Sequence, residues 1–168
     1  MHLNSLTFQT GGHCQLSFEQ DKGWLRATWT GYVGTEEALR GGQNYLQQVG
    51  PMHCLYLLND NEALQGPWFD SLEWLHSVWL PQAQLLGLRY VAHVVQADTH
   101  SDILTLRQVP GLLGELELQF FDDVASAEEW LRHCQLPLPS VARNVPFKVQ
   151  LGKIAGSRPP GDFGEARA

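Results

Sequence analysis

Three His-Cys pairs, His13-Cys14, His53-Cys54 and His133-Cys134, are the first residues to weigh for chemistry. Zinc is held by imidazole and thiolate, so the pairs raise a metal reading. Their placement works against it. Neighbouring residues on a strand face opposite sides of a sheet, so a strand His-Cys pair cannot chelate from one side. None of the pairs has a second His or Cys at the close spacing that zinc ligands need. A buried free cysteine is commonly a small hydrophobe. The sequence therefore predicts no metal and no other cofactor.

A second group suggests acid–base chemistry. His93 lies within the apolar run LRYVAHVV (88–95) and reads as a core or edge histidine, or as a base. Asp60, Asn61 and Glu62 follow the apolar run HCLYLLN (53–59) at its carboxyl end. Ligands bind at that end in open α/β sheets, and an acidic loop there can hold a divalent ion or a hydroxyl. The same residues are also ordinary turn chemistry. His100, Ser101 and Asp102 have the composition of a catalytic triad, but a triad is assembled from distant segments, so they read as a helix start. The chain has no phosphate-binding loop, dinucleotide fingerprint or nucleophile elbow. Gly31-x-x-Gly34 and Gly41-Gly42 do not join a buried strand to a helix start as a phosphate cradle does.

A third group is aromatic. Trp68, Trp74 and Trp79 crowd one stretch. Trp74 and Val78 fall on a different side of a helix from Leu72, Leu75 and Trp79. Trp68, Trp74 and Val78, with Asp60, are thus the candidate residues for binding a ligand or partner. Tryptophan is common at interface hot spots, and a homodimer is the first expectation for this strip.

These residues need elements to hold them. Residues 3–10 and 14–19 read as a hairpin around Gly11-Gly12, and 24–32 as a third strand. Thr35 is a plausible cap for a helix running to Val49, with Glu36 and Glu37 in its first turn. The run 53–59 reads as a buried central strand and 60–68 as a polar loop. A helix is expected over about 69–86, kinked or interrupted by Pro81. The run 88–95 is a second buried strand, and 100–108 a short helix. Residues 115–121 (ELELQFF) alternate as a strand with one wet face, and Asp123 caps a last helix ending near Cys134. This order predicts an α/β fold. The sheet is mixed, with five to six strands, an antiparallel N-terminal part, parallel later strands and about four flanking helices.

Residues 1–136 make the expected domain. Residues 137–168 make a Pro/Gly-rich tail, partly docked to about 155 and disordered beyond. The tail holds Arg143, Lys148, Lys153, Arg158 and Arg167 against Asp162 and Glu165, a balance of +3 that leaves the body at −10 within a total of −7. An acidic body argues against nucleic acid, which needs clustered Lys and Arg. Hydrophobic residues at 43% make the chain too apolar for disorder. Its apolar runs fall far short of the roughly 18 residues of a transmembrane helix. The first residues show no signal-peptide pattern, and three cysteines suit a reducing compartment, so the cytoplasm is expected.

The element order resembles the STAS domain, and most closely its SpoIIAA-like branch, which is related in fold to the CRAL-TRIO lipid-exchange proteins. The resemblance covers about Phe18 to Cys134. It rests on W-x-G-Y (Trp29 to Tyr32), LYLLND (Leu55 to Asp60), FDSLEWLHSVWLPQAQLLGLRYVAHVV (Phe69 to Val95) and FFDDVASAEEWL (Phe120 to Leu131). It implies a non-catalytic regulatory or binding module that recognises a protein partner or an apolar, lipid-like small molecule. Regulatory members are phosphorylated on a Ser that opens a helix. The nearest match is Asp70-Ser71, followed here by Leu72 and Glu73 rather than by small residues. The alternative function is a small enzyme using acidic and His groups, Asp60 and His93 among them, at the strand ends.

Overall fold

The computed structural model describes residues 1–67, 72–95 and 116–137. Strands β1 (His2–Thr7), β2 (His13–Glu19) and β3 (Trp24–Tyr32) pair antiparallel. The hairpin between β1 and β2 turns at Gly11, whose φ of 89° lies in the left-handed region that glycine enters without strain. Helix α1 (Thr35–Val49) then returns the chain to β4 (Tyr56–Gln65). A helical stretch follows, made of α2 (Leu72–Trp74), a π-helical turn (Leu75–Trp79) and α3 (Leu80–Leu85). Strands β5 (Tyr90–Val94) and β6 (Glu117–Phe121) and helix α4 (Val124–Cys134) complete the described body. Met1–Leu136 form one unit.

The six strands lie in sequence order, β1 to β6, and β3, β4, β5 and β6 are mutually parallel. This is the α/β class with a mixed sheet that the sequence predicts. Crossovers of one hand stepping the same way place their helices on the same face. Accordingly Tyr45 and Val49 of α1 and Leu80 and Ala83 of α3 pack with Leu25, Ala27, Leu57 and Val91. Helix α4 covers the other face, where Ala127 and Leu131 meet Trp24, Leu58, Ala92 and Val94. The expected helix over 100–108 and the tail beyond Pro137 lie outside the described residues.

Two local expectations are corrected. Residues 60–65 are strand, not loop: β4 continues past Asp60, pairs with Thr30–Tyr32 and buries Leu64. The polar letters misled because the strand carries polar residues on both faces. The N-cap of α1 is Gly34 rather than Thr35, and its N–H donates to Glu37 Oε2 at 2.7 Å. The α-helix is interrupted next to Pro81, as expected, by the π-turn Leu75–Trp79 that precedes α3. The missing Pro81 N–H is absorbed by that π-turn, where Leu80 N–H reaches Leu75 O. Asp123 caps α4 as expected, accepting from Ser126 N–H at 2.8 Å.

Candidate functional site

The carboxyl half of β3, the middle of β4 and the end of β5 hold a polar cluster in which Asn61 and His93 are buried and Asn59 and Trp29 half-buried. Its origin is a β-bulge. Thr28 pairs with Asp60 but Thr30 pairs with Ala63, so Trp29 faces both Asn61 and Glu62. Bulges re-aim side chains and are frequent beside functional sites. Asn59 and Asn61 project toward the α1 and α3 side, where they meet His93, the register partner of Asn59. Trp29 Nε1 donates to Asn59 Oδ1 at 3.0 Å, and Asn59 Nδ2 donates to Asn61 Oδ1 at 3.2 Å. Asn59 Nδ2 lies 3.1 Å from His93 Nδ1, and Asn61 Nδ2 lies 3.1 Å from His93 Nε2. Phe120 stands edge-on to the imidazole at 5.4 Å between ring centroids. His93 is 7% exposed and Asn61 only 2%. Burial disfavours the imidazolium and lowers the His93 pKa to about 4.

Asp60 points to the opposite face. Its carboxylate accepts from Arg26 Nη2 at 2.7 Å and from Glu62 N–H at 3.2 Å. Arg26 also faces Glu19 at 3.6 Å and Glu128 at 3.9 Å. Lys22 joins Glu128 at 2.6 Å and Glu19 at 3.2 Å, and Arg132 joins Glu128 at 2.7 Å. The hydrogen bond to Glu128 leads the effects that raise the Lys22 pKa. These charges tie α4 to β2, β3 and β4, while Arg132 and Lys22 lie over the Trp24 ring at 5.8 and 5.4 Å. Asp60 and His93 thus lie on opposite sides of the sheet and do not meet.

The tryptophans converge on Gly41-Gly42. A methyl at Gly41 would lie 2.1 Å from Trp29 Cη2. One at Gly42 would lie 2.9 Å from Trp74 Cζ3 and 3.2 Å from Trp79 Cδ1. Trp79 Nε1 donates to Gly42 O at 3.1 Å. The glycine pair therefore lets α1 approach the sheet and the next helix closely. Trp74 is half-buried against Gly42, whereas Val78 is 36% and Leu85 85% exposed. Trp68 and Ser71 lie outside the described residues.

The His-Cys pairs stay on separate elements. Cys14 is buried, and its desolvated thiol is pushed up to about 12. His53 sits at φ 47° closing the 3-10 turn Gly50–Met52, and His133 contacts Glu129 O at 2.8 Å. Among the described residues no group of three His, Cys, Asp or Glu could hold a metal ion, and no helix is long and apolar enough to cross a membrane. Comparison with family models, curated proteins and solved structures returns no match.

Trp29, Asn59 and Arg26 were not among the expected site residues, and Asn61 was read only as part of a turn. The available signal was the alternation N-D-N at 59–61, which sends Asn59 and Asn61 to one face and Asp60 to the other once the strand is continued.

Proposed function

We propose that this chain is a non-catalytic, STAS-like regulatory or binding module that recognises a protein partner or an apolar small molecule. The separation of Asp60 from His93 carries this reading. A general acid and base must both reach one reacting centre. Here the sheet lies between them, Asp60 is engaged by Arg26, and burial keeps His93 neutral. The enzyme alternative therefore lacks its central pair.

A binding role has two supports. The strand-end cluster is made of neutral amides and imidazole beside the aromatic rings of Trp29 and Phe120. The helical stretch after β4 exposes Val78, Pro81 and Leu85 and half-exposes Trp74, a helical spacing of four, three and four. Residues so spaced share one face. A homodimer through this strip is the first partner to test, since twofold dimers are the commonest oligomers. Three free thiols, buried or half-buried, fit a reducing compartment such as the cytoplasm.

Light scattering on the purified chain and on Val78→Glu, with mass spectrometry of a solvent extract, tests the reading. A dimer that Val78→Glu converts to monomer with its far-UV spectrum intact supports the protein arm. A stoichiometric apolar molecule in the extract supports the small-molecule arm. A strict monomer with an empty extract overturns the proposal.

A further inference from the structure

Strand β1 is an edge of the sheet, with β2 on one side of it among the described residues. An antiparallel strand turns alternate residues toward its partner. Phe8 N–H donates to Gly12 O at 2.9 Å, and Leu6 and Asn4 continue that phase opposite Cys14 and Leu16. Ser5 and Thr7 therefore send their backbone N–H and C=O groups away from β2, toward the edge. Such an edge is a template for a further strand, and proteins blunt it with Lys, Pro or a bulge. The sequence HLNSLT of β1 holds no Lys, Arg, Asp, Glu or Pro, so two copies of it would meet without charge repulsion. The bulge between His2 and Asn4 disturbs one end only.

The middle of the edge is closed in another way. Asn4 Oδ1 accepts from Ser5 N–H at 2.7 Å, taking the donor that a further strand would need. The same carboxamide is anchored at its other end, where Nδ2 donates to Oδ1 of the buried Asn44 in α1 at 2.6 Å. A backbone N–H can only donate, so Asn4 must present its oxygen to Ser5 and its NH2 to Asn44. We propose that Asn4 is an edge guard: pinned by Asn44, it keeps β1 from pairing antiparallel with β1 of a second copy of this chain. Twofold pairing of a strand with itself sets outward residues against outward residues. Ser5 and Thr7 are the outward residues after the bulge, and the registers that stack more than one such rung all run through Ser5. The guard goes beyond the binding reading above and does not depend on it.

The test compares the full native chain with Asn4→Ala, by sedimentation velocity over a range of concentrations and by amide exchange of Ser5. Asn4→Ala is expected to double the mass of the native particle reversibly, with its far-UV spectrum intact. At high dilution it should also speed Ser5 exchange by about two- to tenfold, the range that one net hydrogen bond supplies. Asn4→Ala combined with Ser5→Pro should return to the native mass, because proline is tolerated where a strand N–H faces outward and has no proton to donate there. Asn44→Ala leaves β1 unaltered and frees the Asn4 carboxamide. It gives the same two changes in weaker form, which keeps the test open if Asn4→Ala does not fold. An unchanged mass, a Ser5 amide whose exchange ignores the substitution, or a doubling that survives Ser5→Pro overturns the proposal. A pairing through Val78 is present in the native chain as well, so it sets the starting mass and cannot imitate the change.

Discussion

His93 links the strand ends to solution pH. Its pKa falls from an ordinary 6.5 to about 4 because burial penalises the charged ring. The unfolded chain therefore takes up the proton first as pH drops. Stability contributed by His93 is whole above about pH 6.5, declines between about 6.5 and 4, and is flat below. The shift corresponds to about 3 kcal/mol at most. Urea denaturation across this range should show that decline in the native chain and lose most of it in His93→Gln. An equal decline in both would assign the acid sensitivity to other groups. The histidine itself was visible in the sequence as a lone polar residue in an apolar strand. Its amide partners were not, because a two-residue slip in strand length decides whether Asn61 belongs to a strand or a turn.

Helix contacts turn on two glycines. Alanine in place of glycine normally stabilises a helix interior by about 0.5–1 kcal/mol. The opposite sign is expected in α1. Gly41→Ala drives a methyl into Trp29, and Gly42→Ala drives one into Trp74 and Trp79. Overpacking costs about 1–3 kcal/mol, and the closer approach at Gly41 makes it the worse of the two. Thermal melts should order the stabilities as native, then Gly42→Ala, then Gly41→Ala. A gain at either position would mean that the rings move aside freely. Periodicity made α1 and α4 legible, and the Asp123 cap as well. The π-turn was hidden, since Pro81 announces a disturbance without saying how the backbone will accommodate it.

Across the whole molecule the two faces are held differently. The α1 and α3 face joins an apolar layer to the neutral Asn59, Asn61 and His93 cluster, whereas α4 adds to its own apolar contacts a set of ion pairs around Glu128. Glu128 meets Lys22, Arg26 and Arg132, and its side chain is only 13% exposed. Glu128→Gln should therefore loosen α4 by about 1 kcal/mol, read as faster amide exchange in α4 with β1 to β3 unchanged. A uniform change throughout the body would show that α4 and the sheet open together. Class and strand direction were legible from alternating strand and helix patterns. The charge network was not, because its members come from positions 19 to 132 and only the sheet brings them together.

Strand order has a consequence for how the chain is made. Among the described residues each strand from β2 to β6 lies beside the one synthesised just before it, and none is inserted between two earlier neighbours. A ribosome therefore delivers each of these strands to an edge already waiting for it. The hairpin pairings of β1, β2 and β3 are local, whereas the parallel ones join Leu25 to Leu57, Tyr56 to Tyr90 and Tyr90 to Glu117 and form more slowly, each awaiting its crossover. By the time Gln65 emerges, four strands and α1 have all their mutual partners. The sheet can grow as it is translated, one strand at a time, with the polar cluster at its strand ends completed only when β5 brings in His93.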